Sequence, residues 1–510
     1  MEMNYAKTVE KWGTLEVPVK GPKEGNPFCD QWIKGTFECK NEKKTVDGFY
    51  DGDGVYKVRF MPSFVDTYTF KIESSFQTES AEEVSGSFEA VAPSADNHGP
   101  VRVAGTYYLA YEDGKPYHCL GTTCYVWNLQ NEKLQEQTLK TLEENAFNKI
   151  RFCIFPKHYD YNLHEPITYP YEGTPCDTSE LNENNFAEYN GCAPGNDWDF
   201  TRFNPAHFQH IEKCIQALMN LGIEADLIVM HPYDRWGFSM MKAEDDDRYW
   251  KYVLARFSAY RNVWWSLANE YDLMHEKTLA DWERYAAIIC EKDPYHHLRS
   301  IHNCKAYYDY NLPWVTHCSI QRTETYRSSE LVNEWREKYH KPVVLDEICY
   351  EGNIQFGWGN ISGEEMTRRF WEAFCRGGYP GHGETYLSPD RILWWSHGGV
   401  LHGTSPERIK FLAKIMEETP GLGVEPMPCK WDEVACRAAG FPARKDYFIY
   451  YYTFMRPSFR DFYFDDTTEY QVEIIDTWEM TITDGGIHKG KFRVQLPGKE
   501  YIAVRIKAVK

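Results

Sequence analysis

The sequence lacks three features that would each narrow its function at once. It has no surplus of positive charge: 56 Lys and Arg stand against 76 Asp and Glu, a formal net charge of −20. Nucleic acids and anionic membranes attract cationic surfaces, so this balance argues against both as partners. No run approaches the roughly 18 apolar residues of a membrane-spanning helix. The first residues, MEMNYAKTVEKWG, lack the basic and apolar regions of a signal peptide.

The cysteines lack any regular spacing. There are 15 of them, with no CxxC pair. Several lie inside apolar segments, such as Cys153 in IRFCIFP and Cys290 in AAIIC, where a thiol behaves as a small hydrophobic group. Together with the missing signal peptide, this usage predicts a reduced, cytoplasmic protein.

Aromatic residues, by contrast, are plentiful. They make up 16% of the chain, with 17 Trp and 36 Tyr. Flat apolar rings are the surfaces on which sugar faces stack, although large hydrophobic cores use the same residues. The hydrophobic fraction of 42% is sufficient for such cores, and a chain of 510 residues is long enough for about three domains.

Three regions of the chain differ in their hydrophobic pattern. Residues 1–98 contain VYKVRFMPS and DTYTFKIES, whose alternation predicts an immunoglobulin-like β-sandwich. In residues 99–425 short apolar runs alternate with amphipathic helices, which is typical of parallel βα units. Residues 426–510 return to alternating segments such as YIAVRIKA, and predict a second β-sandwich.

The middle region carries eight candidate strands, the number found in a (β/α)8 TIM barrel. A doubly wound open sheet is the alternative, but no glycine-rich phosphate motif follows any of the strands. We therefore predict the barrel. The strands are PYHCLGTT (116–123), FNKIRFCIF (147–155), IEADLIVM (223–230), VWWSLAN (263–269), LRSIHN (298–303), WVTHCSIQ (314–321), PVVLDE (342–347) and YPGHGETY (379–386).

Carboxylates stand at the ends of two of these strands. The fourth ends in Asn269-Glu270 and the seventh in Asp346-Glu347, and TIM barrels carry their active sites at the C-terminal ends of the strands. Glycosidic cleavage needs two carboxylates, and a separation of about 5 Å gives retention of configuration. Asp346 competes with Glu347, but successive strand residues face opposite sides, and we choose Glu347. Alternatively, these glutamates have only a structural role, in salt bridges or helix caps.

The segments SLANEYD and VVLDEICY resemble two motifs of the clan A glycoside hydrolases, which are retaining enzymes built on (β/α)8 barrels. GFYDGDGVYKVRFMPS and GKPYHCLGTT are similar to bacterial members with a β-sandwich before the barrel. The resemblance implies that Glu270 is the acid/base, that Glu347 is the nucleophile and that Asn269 binds the hydroxyl next to the anomeric carbon. It implies no metal or organic cofactor.

The same resemblance implies further contacts to the substrate and the nucleophile. Clan members often carry on strand two an Arg that contacts the nucleophile, and Arg151 stands there. Strand six usually ends near an aromatic residue or His with the same role; here it offers His317 and Gln321, with no Tyr in the expected place. A Trp after strand eight often lies beneath the sugar. Trp394 and Trp395 both stand there, and alternation permits one of them.

Other candidates follow from their position at strand ends alone. MHPYDRWG follows strand three and holds His231, Asp234 and Trp236, which could bind hydroxyls or stack on a ring. GHGETY in strand eight contributes His382 and Glu384. Glu384 is a third acid that could bind hydroxyls or compete for a catalytic role.

We predict a retaining glycosidase that cleaves terminal sugars from plant- or microbe-derived oligosaccharides. The long segment 156–204 after strand two would form a wall that favours attack on chain ends. A non-catalytic carbohydrate-binding protein is one alternative. A metal-dependent barrel hydrolase using His231, His302, His317 and His382 is another, although strand one has no HxH motif. The flanking sandwiches could bind glycan, brace the barrel or form a homo-oligomer.

Overall fold

The computed structural model describes residues 5–77, 84–322, 324–428 and 433–509. The N-terminal region forms two facing sheets. Its elements are β1 (Thr8–Glu10), β2 (Leu15–Lys20), the short helix α1 (Pro27–Asp30), β3 (Ile33–Glu38), β4 (Lys43–Asp47), β5 (Phe49–Tyr50), β6 (Val55–Phe60), β7 (Asp66–Ser74) and β8 (Val84–Val91).

Alternation of apolar and polar residues creates the core of this region. The strand order is β1-β8-β7-β3-β4 in one sheet and β2-β6-β5 in the other. In β2 every second side chain is buried, as a strand with one solvated face requires. Phe37 of β3 and Phe60 of β6 stack across the gap with ring centroids 4.3 Å apart, which joins the two sheets.

The middle region is the predicted barrel with its surrounding helices. It begins with a hairpin of β9 (Val101–Ala104) and β10 (Tyr108–Tyr111). The eight barrel strands, in order, are β11 (Gly121–Thr123), β12 (Lys149–Cys153), β15 (Glu224–Met230), β16 (Val263–Ala268), β17 (Arg299–Ser300), β18 (Cys318–Gln321), β19 (Val343–Glu347) and β21 (Tyr379–His382). Short strands between them are β13 (Tyr171–Thr174), β14 (Asp197–Phe203), β20 (Glu351–Gly352) and β22 (Glu384–Thr385).

The barrel strands pair in parallel, in the order β17-β16-β15-β12-β11-β21-β19-β18. A parallel bridge between His302 and Ser319 joins the two ends of this sheet. The (β/α)8 prediction is therefore confirmed, with each strand shorter than its apolar segment in the sequence.

The helices cover the outside of the barrel, as their amphipathic sequences predict. In α3 the buried residues include Phe208, Ile211, Ile215 and Leu218, a spacing that places them on one face. Asn204 caps this helix by accepting from the N–H of Ala206. The helices are α2 (Glu132–Glu144), α3 (Pro205–Asn220), α4 (Ala243–Phe257), α5 (Leu279–Lys292), α6 (Val332–Tyr339), α7 (Gly363–Cys375), α8 (Trp394–His397) and α9 (Ser405–Glu417).

The C-terminal region is again β-structure. A six-stranded sheet, β23-β24-β25-β30-β27-β28, is accompanied by the pair β26-β29, and Phe462, Val472, Phe492 and Val504 lie in their common core. The bounds are β23 (Val424–Pro426), β24 (Val434–Ala438), β25 (Tyr447–Tyr451), β26 (Phe459–Tyr463), β27 (Tyr470–Asp476), β28 (Thr481–His488), β29 (Lys491–Gln495) and β30 (Ile502–Ala508).

A buried ionic cluster attaches the N-terminal sheets to the barrel. Arg59 of β6 donates to both carboxylate oxygens of Glu212 in α3, at 2.6 and 2.9 Å. Arg256 of α4 contacts the same carboxylate and lies 2.7 Å from Asp51.

Among the described helices, none combines the length and the apolar character needed to cross a membrane.

Candidate active site

Two glutamates from opposite sides of the barrel lie in one cavity at the C-terminal end of the strands. Glu270 follows β16 and has a left-handed backbone, with φ 51° and ψ 54°; such strain in a non-glycine residue clusters at functional sites. Glu347 is the last residue of β19. The cavity, which we call the mouth, has a volume of about 230 Å³ and is lined by Tyr125, Lys157, Tyr159, Tyr233, Glu270, Cys304, Gln321, Arg322, Glu347, Cys349, Tyr350, Trp358 and Trp395.

Glu347 is surrounded by groups that stabilise its negative charge. Oε1 lies 3.4 Å from Nη1 of Arg151 and 3.5 Å from Nε2 of His302, and the Tyr125 hydroxyl donates to it. Burial would raise the pKa of Glu347, but His302, Arg151 and the Tyr125 bond outweigh burial and lower this pKa to about 2. Glu347 is therefore an anion at neutral pH.

Glu270 has the opposite environment. Its burial, and next the charge of Glu347, raise its pKa to about 7, against the lowering effect of its hydrogen bond from Gln321. Gln321 donates through Nε2 to Oε1 at 2.5 Å, and the hydroxyl of Tyr233 donates to Oε2. A large fraction of Glu270 is therefore protonated at neutral pH. The cavity combines a proton donor with an anion, the pair of groups that glycosidic cleavage requires.

Asn269 and Arg151 lie next to the glutamates, as the resemblance implies. The side-chain oxygen of Asn269 accepts from Nη2 of Arg151 at 3.2 Å and lies 3.3 Å from the Tyr125 hydroxyl oxygen. These contacts fix the orientation of the amide.

Asp346 lies one layer deeper than Glu347. Its carboxylate accepts from Nζ of Lys149 at 2.7 Å, and the same ammonium donates to Asp226 at 2.7 Å. We call Lys149, Asp226 and Asp346 the floor. Both side chains therefore lie on the inner side of the barrel, contrary to strict alternation, and the pairing of β18 with β19 shifts its register where Glu347 reaches the mouth.

The structure distinguishes the two adjacent tryptophans. Trp395 lines the mouth and packs edge-on against Tyr125 with ring centroids 5.7 Å apart. Trp394 is buried, and its indole N–H donates to Thr122 at 2.8 Å. One of the two candidates is therefore placed to contact a sugar.

The three candidates after strand three do not line the mouth. His231 is buried, with Nε2 3.4 Å from the carbonyl of Phe155. Asp234 closes the turn by accepting from the N–H groups of Trp236 and Ser239, both at 2.8 Å, so its carboxylate is used within the loop. Trp236 is buried beside Phe238. The residue of this loop that reaches the cavity is Tyr233.

His317 and His382 also lie away from the mouth, contrary to prediction. His317 precedes β18 and so lies at the opposite end of the strand, where its ring packs edge-on against Trp264 at 5.3 Å. Gln321, at the correct end, is the residue of strand six that reaches Glu270. His382 stacks on Phe147 at 4.7 Å.

The histidines of the metal-dependent alternative do not converge in the described part of the chain. The described side chains that could together hold a metal ion are Glu351, His382 and Glu384, whose candidate ligand atoms lie within 4.8 Å of one another. Glu351 accepts from the N–H of Thr404 at 2.7 Å, and Glu384 from that of Gly403 at 2.7 Å. None of the three lines the mouth, so Glu384 does not compete with the two glutamates.

Several residues of the site were not predicted. Tyr125 and Lys157 come shortly after strands one and two, and His302 follows strand five. Position near a strand end was the available signal for all three, but it does not mark a lysine or a phenol as part of such a site, and His302 was predicted only as a ligand of the metal-dependent alternative. Tyr350 and Trp358 come from the loops after strand seven, where no pattern distinguishes them.

Comparison with known proteins identifies the family. Residues 104–420, which include all eight barrel strands, match the model described as "Apiosidase-like, catalytic domain". The chain belongs to this apiosidase-like family. Residues 8–75 and 431–507 match two domains of unknown function, DUF5060 and DUF5605. The comparison with curated proteins finds no match.

Solved structures agree with this assignment. A Bacteroides vulgatus protein described as a candidate glycoside hydrolase is 38% identical, with 99% of this chain and 100% of that chain covered and a TM-score of 0.89. A family 5 glycoside hydrolase from the same organism shares the fold, at 16% identity, 81% and 93% coverage and a TM-score of 0.60. This apiosidase-like protein is a glycoside hydrolase, as the predicted resemblance implies, and it shares the barrel fold of the family 5 enzyme.

Proposed function

We propose that this glycoside hydrolase releases a terminal sugar by double displacement, with net retention at the anomeric carbon. The observation that carries the proposal is the pair of glutamates in one cavity whose pKa values are shifted in opposite directions, Glu270 to about 7 and Glu347 to about 2. Environments that separate two such pKa values assign one group as acid and the other as base or nucleophile.

In the first step Glu347 attacks the anomeric carbon while Glu270 gives its proton to the glycosidic oxygen. The bond between that oxygen and the anomeric carbon breaks, the aglycone leaves as an alcohol, and the sugar becomes an ester of Glu347. In the second step Glu270, now ionised, takes a proton from water as the water attacks the same carbon. The ester bond breaks, and both glutamates return to their starting states.

Neighbouring side chains have supporting roles in this scheme. Arg151, His302 and Tyr125 keep Glu347 ionised and oriented. Arg151 also holds the oxygen of Asn269, which leaves the amide N–H₂ of Asn269 to donate to the sugar hydroxyl beside the anomeric carbon. Trp395 offers a flat apolar surface for the sugar ring.

The size of the cavity favours action on chain ends. Its volume of about 230 Å³ lies below the roughly 300–1,000 Å³ of sites for drug-sized ligands, and corresponds to one sugar unit rather than to a cleft for a polymer. Lys157 and Tyr159, from the start of the segment 156–204, form one wall of it. We propose terminal sugars of plant- or microbe-derived oligosaccharides as substrates, with apiosides included because the family description names an apiosidase.

A panel of 4-nitrophenyl glycosides, with pyranosides, furanosides and an apioside in both anomeric forms, tests the proposal. Turnover of at least one member is expected, and proton NMR of the first-formed anomer should show the configuration of the substrate. An inverted first product would contradict double displacement. Sugar binding without turnover of any glycoside by the wild-type protein would support the carbohydrate-binding alternative.

A further inference from the structure

A buried lysine lies in the wall of the mouth. Lys157 is 3% exposed and lines the cavity together with both glutamates. Its ammonium lies over four aromatic rings, with the nitrogen 3.7 Å from the ring centroid of Tyr125, 4.3 Å from Trp395, 4.5 Å from Tyr233 and 4.9 Å from Tyr159. The face of an aromatic ring attracts a cation but does not neutralise it.

This ammonium has no anionic partner in the described part of the chain. No carboxylate there lies within the 4.0 Å of an ion pair, and no hydrogen bond from its Nζ is found. Lys149, also buried in the barrel interior, donates to two aspartates at 2.7 Å each. Burial of an unpaired charge is costly, so the exception at Lys157 calls for a partner that the folded chain does not supply.

The acids of the mouth are already engaged. Glu347 is held by Arg151, His302 and Tyr125, and Glu270 accepts from Gln321 and Tyr233. The other cation of the cavity wall, Arg322, is paired with Glu324, 2.6 Å away. The mouth therefore presents a positive charge that is free to meet an anion on a ligand.

The rings around Lys157 show where that anion would lie. Tyr125 donates to Glu347 and Tyr233 donates to Glu270, while Trp395 is the proposed platform for the sugar. The ammonium thus lies against the part of the cavity that holds the sugar whose anomeric bond is cleaved.

We propose that Lys157 binds a carboxylate on that sugar, so that among the proposed substrates glycosides of uronic acids are preferred to neutral ones such as apiosides. The inference rests on the proposed function, because it names the substrate class of the same site. Burial lowers the pKa of Lys157 to about 8, which leaves the ammonium form predominant at neutral pH, where a uronic acid is ionised. An ammonium and a carboxylate brought together in this desolvated cavity attract each other more strongly than in water.

The test compares matched 4-nitrophenyl glycosides that differ only at the carboxylate: glucuronide with glucoside and galacturonide with galactoside, in both anomeric forms. Wild-type protein should show a kcat/KM at least about 100-fold higher for the acidic member of the pair it accepts. Lys157→Met should lower the ratio of acidic to neutral kcat/KM by about 100-fold. Lys157→Arg, which keeps the charge, should retain more of that ratio.

Binding gives a readout that does not depend on turnover. Isothermal titration with free glucuronate, galacturonate, glucose and galactose should show binding of an acid by the wild-type protein, lost in Lys157→Met. If glycosides are cleaved but neutral and acidic members react equally, or if Lys157→Met lowers both alike, the inference is overturned and the proposed function stands. If acids bind through Lys157 but no glycoside is cleaved, the proposed function fails instead.

Circular dichroism of Lys157→Met checks that the variant folds. If the variant does not fold, the ratio of acidic to neutral kcat/KM of the wild-type protein tests the inference by itself. A wild-type enzyme that favours apiosides or other neutral glycosides over the matched acids contradicts the inference.

Discussion

Two neighbouring layers of the barrel interior treat buried charge in opposite ways. In the floor, Lys149 lies 2.7 Å from Asp226 and 2.7 Å from Asp346, so its charge is balanced by carboxylates. In the mouth just above, Glu270 and Lys157 have no ion-pair partner among the described residues. Paired charge holds the floor together, whereas unpaired charge in the mouth raises the energy of the empty site and is stabilised when substrate arrives.

The contrast is sharpest between two adjacent residues. Asp346 and Glu347 follow each other in β19, yet one belongs to the floor and the other to the mouth. Both carboxylates lie on the inner side of the barrel, and the register shift at the end of the strand lets Glu347 reach the cavity while Asp346 stays in the floor. Substitutions in the two layers should therefore change different properties, stability in the floor and catalysis in the mouth.

The largest expected effect is in the mouth. Glu347→Gly should lower kcat by roughly 10⁴- to 10⁶-fold, because the variant has no nucleophile. Its unfolding temperature should fall only moderately, because Arg151 loses the Glu347 anion but keeps Asp226 and Asp346 at 3.6 and 3.8 Å. Steady-state kinetics on the best glycoside of the panel and a thermal melt measure both quantities.

Azide sharpens this prediction. In a double-displacement enzyme, azide should restore turnover of Glu347→Gly and yield a glycosyl azide of inverted configuration. A variant that keeps more than about a tenth of the wild-type kcat would remove Glu347 from the nucleophile role.

The next effect is in the floor. Lys149→Met leaves Asp226 and Asp346 buried without their cation and should lower the free energy of unfolding by about 3–5 kcal/mol. Lys157→Met is the matched control, because it removes a buried ammonium of the same barrel that has no carboxylate partner. It should cost less than about 1 kcal/mol, since the lost ring contacts are offset by removal of the cost of burying an unpaired charge. Urea denaturation followed by fluorescence measures both. Equal losses in the two variants would contradict the distinction between floor and mouth.

Much of the fold could be predicted from the sequence, because its signals are local and repeated. Eight apolar segments separated by amphipathic helices predicted the barrel. The ends of strands four and seven brought Glu270 and Glu347 to one cavity, since strand polarity alone places them there. Arg151 and Gln321 were implied by the resemblance to clan A, and the structure finds both beside a glutamate.

The site residues that were predicted wrongly or missed share a physical cause, because their positions depend on loop conformation and tertiary contacts. A loop residue after a strand has no fixed direction, so the sequence could not show that Asp234 turns back on its own loop while Tyr233 reaches the cavity. The position of His317 depended on where β18 begins, and that boundary lies one residue after it. Lys157 was missed because its role depends on four rings brought together by the fold.

A smaller effect in the mouth comes from Glu270. Glu270→Gln cannot donate a proton, so kcat/KM should fall by about 10²- to 10⁴-fold for a glycoside with a poor leaving group. The acid works only while protonated, and because its pKa lies at about 7, wild-type activity should fall as the pH rises through 7. Glu347 is active only when ionised, and with a pKa of about 2 it should impose no loss above pH 4. The basic limb near pH 7 should be absent from the profile of Glu270→Gln, and its persistence there would assign the limb to another group.

The smallest effect distinguishes two adjacent tryptophans in the way that Asp346 and Glu347 are distinguished. Trp395→Ala removes a ring from the cavity wall and should raise KM by about 10-fold, the worth of one stacked ring. Trp394→Phe removes a buried indole whose N–H donates to Thr122, and should lower the free energy of unfolding by about 1–3 kcal/mol while leaving KM within about twofold. Kinetics and denaturation of both variants separate the two roles, since a rise in KM for Trp394→Phe without any loss of stability would mean that the sugar lies deeper in the barrel than the mouth.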